Sequence, residues 1–244
     1  MSFISTDIQL ILLAVFLFLY DSSHLVYINE SVLTCSNNNW DFIDDRNLIN
    51  IRGKGLYISN PFILNKFEYI LSWKFDDLDF VQKNDIQNFD NGLKSILITF
   101  AYVSWILIFI CLPYLLFFYK TDLNLLICTC FIYIVSALTG IMIIAYHNKL
   151  NLTKKKAINL AIEFLFCPPF NPNVIRKITK LQNIQENLIA VAVRKLSPTK
   201  WEELCKILAE KIKDEISNNA SNFNEIEKLK RTLKIINGIN VNDE

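Results

Sequence analysis

Histidine occurs only twice in this chain, at His24 and His147, and glycine only five times. The first shortage leaves no base beside any candidate nucleophile, so neither a Ser-His-Asp nor a Cys-His arrangement is suggested. The second leaves no glycine-rich loop of phosphate-binding spacing. Cysteine is present but unpatterned. Cys111, Cys128 and Cys130 fall in apolar stretches, while Cys35, Cys167 and Cys205 are scattered, so no disulfide framework is implied. Cys128 and Cys130 stand two apart, which on a helix points them ~200° from each other. They read as small packing residues, and neither a metal site nor a cofactor is expected.

Charge is missing over the longest distance. The 52 residues from Ser95 to Tyr146 contain only Lys120 and Asp122, both near the centre. The flanks, 95–119 and 123–146, are 25 and 24 residues without a charge, and a membrane-spanning helix needs ~20 mainly apolar residues. The pattern predicts a transmembrane hairpin. Neither helix carries an Asp, Glu, Lys, Arg or His, which argues against transport by this subunit alone. Pro113 predicts a kink in the first helix, and Ser136 with Gly140 forms a small-xxx-small pair in the second, expected to admit the neighbouring span.

A third apolar stretch, Ile8–Tyr20, lies between Asp7 and Asp21. No Lys or Arg precedes it and no small-residue cleavage site follows, so it reads as an N-terminal transmembrane helix within 1–20 rather than a signal peptide. Segment 21–94 holds 11 acidic and 7 basic residues, and segment 147–244 holds 17 basic and 11 acidic. Lys149, Lys154, Lys155 and Lys156 crowd the end of the last span, which places the C-terminus in the cytoplasm. Three crossings then leave both polar segments on that side. Lys154, Lys155 and Lys156 are candidates for contact with lipid headgroups. Richness in Asn, Ile and Lys suggests an AT-rich genome, and the short loops and compact size suit a bacterial inner-membrane protein.

Residues 21–47 read as an Asn- and Asp-rich connection, with regular structure from Leu48. Leu48–Arg52 and Leu56–Ser59 flank Gly53-Lys54-Gly55 and predict a β-hairpin. Phe67, Tyr69, Leu71, Trp73 and Phe75 alternate with polar residues, as in a half-buried strand. Asp76, Asp77 and Asp79 follow. Their spacing lacks the pattern of a calcium loop and reads as a solvated turn, before a helix over Val81–Phe89.

The remainder reads as helical. Thr153 caps a helix over Lys154–Cys167. The run Cys167-Pro168-Pro169-Phe170-Asn171-Pro172-Asn173 predicts a rigid, largely extended corner, with Asn173 capping a helix that begins near Val174 and carries Arg176 in its first turn. Basic neighbours give Cys167 a chance of a low pKa. One helical face runs from Val174 to Leu196. Ser197-Pro198 starts another helix, with Trp201, Leu204, Cys205, Leu208, Ile212 and Ile216 on its apolar side, and Ile226, Leu229, Leu233 and Ile236 mark a last one ending at Gly238. Basic and acidic residues are interspersed, so no nucleic-acid partner is expected.

The expected fold is therefore an α-helical integral membrane protein: a two-helix hairpin (95–146), an N-terminal transmembrane helix, a small β-rich (α+β) module at 21–94 and an all-α cytoplasmic bundle at 147–244. The expected role is a membrane-anchored scaffold or interaction subunit. It would contact lipid and a protein partner or a second copy of itself, with Cys167, Pro168, Pro169, Asn173, Arg176 and Trp201 as structural or interaction residues. Two alternatives are a membrane-surface enzyme using Asp76, Asp77 and Asp79 or Cys167, and a sensor with 21–94 outside.

Overall fold

The computed structural model describes residues 6–36, 39–44, 48–73, 91–119, 121–182, 187–218 and 223–239. The Asp76, Asp77, Asp79 cluster, Phe75 and the helix expected over Val81–Phe89 lie outside the described residues.

The apolar runs form helices. Helix α2 (Asn91–Ile106) passes through a π-helical turn, Leu107–Cys111, into α3 (Leu112–Phe118), and α4 spans Asp122–Ala145. The stretch Gly92–Phe118 and α4 are each long and apolar enough to cross a membrane, and only 22% and 39% of their apolar windows are buried in the molecule. Ahead of Pro113, where a kink is expected, the helix passes through a π turn. Leu112 N–H donates to Leu107 O five residues back, just before the proline that has no N–H to offer. Helix α1 (Thr6–Ser22) packs beside this pair. Phe18 lies 5.0 Å ring to ring from Phe109, and Ala14 touches the cluster of Ile108, Cys128 and Ile132. Its outer side exposes Leu10, Leu12, Leu13 and Phe16.

Strands occupy the region expected to be a connection. β1 (Ser23–Val26), β2 (Glu30–Ser36) and β3 (Asn39–Ile43) precede β4 (Ile49–Ile51), β5 (Lys54–Ile58) and β6 (Phe67–Ser72). They form two antiparallel sheets, ordered β1-β5-β4 and β3-β2-β6. The expected hairpin is present but its turn is tighter: Arg52 and Gly53, with φ of 53° and 80°, are the two loop residues, and Asn50 Oδ1 accepts from Gly53 N–H at 2.9 Å. Both positive φ values match the right-handed strand twist, and glycine takes its value without strain.

The β2 sheet is covered on both faces. Val32 and Ile70 meet Val26 and Tyr57 of the other sheet, whereas Leu33, Phe67, Tyr69 and Leu71 face the helices. That double burial erases the alternation by which strands are usually read. It also overturns the half-buried reading of β6: Glu68, one of the polar residues between the apolar ones, is 0% exposed.

Beyond α4, a turn with Asn151 at φ 53° leads into α5 (Lys154–Phe166), capped as expected by Thr153, whose Oγ1 accepts from Lys156 N–H at 3.4 Å. Pro168–Asn173 is a 3₁₀ helix rather than an extended corner. Cys167, ahead of the prolines, leaves helical geometry at φ −133° and ψ 75°, and its carbonyl accepts from Phe170 N–H at 2.9 Å. The long helix expected from Val174 is two, α6 (Val174–Leu181) and α7 (Leu188–Lys195), because Gln182 leaves helical geometry and Asn187 caps anew through Ala190 N–H at 2.6 Å. Helices α8 (Pro198–Asn218) and α9 (Phe223–Ile239) follow.

These helices do not form a bundle apart. One apolar cluster joins Phe18 of α1, Leu33 of β2, Leu97 of α2, Ile143 of α4, Phe164 of α5, Ile178 of α6 and Leu208 of α8. The expected α8 stripe supplies much of it, with Trp201, Leu204, Cys205, Leu208 and Ile212 all buried. Gly140 also differs from expectation. A Cβ there would lie 3.0 Å from Ala161 Cβ, so it admits α5 rather than another span, and Ser136 is buried on the same side of α4. Gly140→Ala should therefore push α5 off α4 and destabilise the fold by ~1–3 kcal/mol. Thermal unfolding of the detergent-solubilised chain measures this, with Ala161→Gly in the same chain restoring the loss.

Candidate functional site

The densest chemistry lies where the strand module, the end of α1 and the start of α6 meet. Short β5 and β6 bring Tyr57, Ser59 and Glu68 onto one face, and α6 places Arg176, Lys177, Thr179 and Lys180 against it. Glu68 Oε1 accepts from Tyr57 Oη at 3.0 Å and lies 3.5 Å from Arg176 Nε. Its Oε2 accepts from Ser59 Oγ at 2.6 Å and lies 3.4 Å from Lys180 Nζ, while Glu68 N–H donates to Thr179 Oγ1 at 3.3 Å. A carboxylate without solvent is tolerated because two cations and two hydroxyls surround it.

Arg176, only 1% exposed, extends the junction. Its Nη2 donates to the carbonyls of Asn60 (2.5 Å) and Ile63 (2.6 Å), and its Nη1 to Asn173 Oδ1 (2.9 Å). That bond fixes the Asn173 amide, whose Nδ2 donates to Asp21 Oδ2 and Ser22 Oγ at 3.0 Å each. Asn173 thus ties α6 to the end of α1 and does not cap α6 as expected. Lys177 completes the set with Asp21 at 2.6 Å and Glu163 at 2.5 Å, its ammonium over the Phe170 ring. Three acids meet three bases.

Burial lowers the pKa of Arg176 and of Lys180, with the Glu68 charge opposing it in each case. Asp21 is raised by burial, against the pull of Lys177. Tyr57 is pushed well above its usual range by burial and by the adjacent Glu68. His24, on β1 nearby, is lowered by burial and then by Lys180.

The residues singled out in the sequence divide accordingly. Asn173 and Arg176 belong to the junction, and Pro168 and Pro169 open the turn that delivers them. Cys167 is at the edge, but burial and then the Asp21 charge raise its thiol, the opposite of an activated cysteine. Trp201 is in the core at 6% exposure and offers no surface. Lys156 Nζ donates to Leu181 O at 2.9 Å, whereas Lys154 and Lys155 are exposed. The sequence reading missed Glu68, Tyr57, Ser59, Lys177, Lys180 and Asp21. A clue existed in α6, whose eight residues carry three cations beside a proline-rich turn and so call for acids from elsewhere.

Among the described residues no group of three His, Cys, Asp or Glu is placed to hold a metal ion. No protein-family model matches this chain, and neither a curated protein nor a solved structure does.

Glu68→Ala removes the shared anion and leaves Arg176 and Lys180 buried without it, so a loss of ~3–5 kcal/mol is expected on chemical unfolding. A Glu68→Met, Arg176→Met, Lys180→Met chain should recover part of that loss. The His24 shift sets a pH dependence. Because its pKa in the fold lies below the free value of 6.5, the unfolded chain binds the proton more tightly, and stability falls as pH drops below 6.5. His24→Gln should flatten the acid side of a stability profile against pH.

Proposed function

We propose that this chain is a membrane-anchored scaffold or interaction subunit. It is seated in a bacterial inner membrane by α1 and the hairpin, with the strand module and helices α7–α9 on the cytoplasmic side. The observation that carries this reading is the exposed apolar face of the β1-β5-β4 sheet. The register sets Leu25 opposite Leu56 and Leu56 opposite Ile49. Leu25, Ile49, Ile51 and Ile58 are all exposed on that face, Ile49 at 67%. A contiguous aliphatic patch on a polar module fits a protein partner or a second copy of the chain.

The polar junction supports the same reading, because its charged groups are directed at one another rather than at an open site. The raised Cys167 thiol gives no help to a surface enzyme. The shared core of the strand module and the C-terminal helices favours one side of the membrane for both over an external sensor module. The lysines after α4 favour the cytoplasm as that side.

A photo-crosslinking residue installed at Ile49 or Ile58 in cells should give discrete protein adducts. The same residue at Lys213, exposed on α8, should give none. Adducts missing at all three positions would sink the scaffold reading.

A further inference from the structure

Beyond its opening lysines, helix α5 turns a mainly apolar face outward, with Asn159 and Glu163 the exposed polar residues on it. On α5, Ile158, Ile162, Leu165 and Phe166 are exposed, Phe166 at 81%, and they continue the exposed side of α4 at Leu138 and Ile141. Nothing in the described chain covers Phe166.

The depth of α5 follows from its contacts. The connection from α4 is only residues 146–153, and Gly140 meets Ala161, so α5 runs back antiparallel along α4. Phe166, five residues beyond Ala161, then lies beside the middle of α4, ~15 Å from its C-terminal end at 1.5 Å per residue. The following turn agrees. Asn171 Nδ2 donates at 2.6 Å to Ser104 Oγ, halfway along the Gly92–Phe118 stretch. The return helix α6 ends level with the start of α5, where Lys156 Nζ binds Leu181 O at 2.9 Å and Gln182 Nε2 binds Leu150 O at 3.0 Å. Together α5, the 3₁₀ turn and α6 make a re-entrant loop beside the span.

The charges fit this depth. Lys154 and Lys155, exposed at the shallow end of α5, sit at a helix N-terminus, where the dipole disfavours cations. Anionic headgroups would offset that repulsion. The one acidic residue of α5, Glu163, is neutralised by Lys177 at 2.5 Å.

We infer that α5 lies within the cytoplasmic leaflet of the bilayer, with its Ile158–Phe166 face against acyl chains and Lys154 and Lys155 among anionic headgroups. This rests on the membrane reading above, and the test separates the two. The full chain in vesicles of phosphatidylethanolamine and phosphatidylglycerol is treated with a membrane-impermeant maleimide, with labelling mapped by mass spectrometry. Variants carry Lys155→Cys, Ile162→Cys or Phe166→Cys, and native Cys130, exposed on α4, is the internal control. Residues 162 and 166 should label at least about tenfold more slowly than residue 155, since a thiol in hydrocarbon forms little thiolate. Rapid labelling at 162 and 166 with Cys130 protected would overturn the placement of α5 alone. Rapid labelling of Cys130 as well would overturn the membrane reading with it. Should a cysteine variant misfold, Phe166→Trp gives a second measurement. Its emission should be quenched by chain-brominated lipid beyond the quenching of the parent protein, and equal quenching would reject the inference.

Discussion

Glu68 is a carboxylate with no access to water, and the docking of the strand module depends on how it is neutralised. Strand β6 can bring it to α6 only because Arg176 and Lys180 arrive from the other side and Tyr57 and Ser59 fill its remaining lone pairs. A charge in such a place is a weak contributor to net stability, because desolvation offsets most of the Coulomb attraction. Its effect is on uniqueness. A slipped register on β6 would point Glu68 into the helix-facing core, away from Arg176 and Lys180, and would turn Phe67 and Tyr69 away from it. Arg176 then carries the constraint onward: through Asn173 it fixes the end of α1, and through the carbonyls of Asn60 and Ile63 it holds the loop between β5 and β6. One guanidinium thus joins three separate parts of the chain.

The long-range parts of this arrangement were the hardest to read in the sequence. Helices with strong local signals stood out: the two apolar stretches around Lys120 and Asp122, the Thr153 cap, and the α8 stripe from Trp201 to Ile212. β2 did not, because Ser31 to Cys35 is buried on both faces and so shows no period of two, and the Asn and Asp residues around it resemble a linker. The α6–α7 break was hidden because apolar spacing carries on smoothly through Gln182, whose departure from the helix is tied to Leu150, a residue 32 positions away. Glu68 looked like an ordinary outward residue. Only the fold, by setting α6 against that face, reverses the assignment. Arg176 and Lys180 meet Glu68, and Lys177 meets Asp21, across 108 to 156 positions of sequence, a separation at which local patterns say nothing.

The prolines also act through geometry more than through local conformation. Pro113 leads the hairpin's first helix through a π turn, and Pro168, Pro169 and Pro172 compress a 3₁₀ turn into the space between α1, α2 and α4. The second device matters more for the site, since it places Asn171 against Ser104 and Asn173 against Asp21 within a few residues. A longer or looser connection would reach the same helices without presenting both amides.

The depth of that turn makes the molecule lopsided. On the strand side, Phe62 reaches the ring of Trp105 at 6.3 Å, leaving 105–118, ~21 Å of helix, beyond the strand module. On the opposite side α4 is bare along its outer half and flanked by the apolar face of α5 below, which makes a continuous greasy wall ~36 Å high. A bilayer with a ~30 Å hydrocarbon core matches neither height. Lipids around a chain seated as proposed would thin on one flank and thicken on the other, or the whole protein would lean toward its sheets. Hydrophobic mismatch of opposite sign on two sides of one small protein would orient it relative to membrane curvature and to neighbours with the complementary slope.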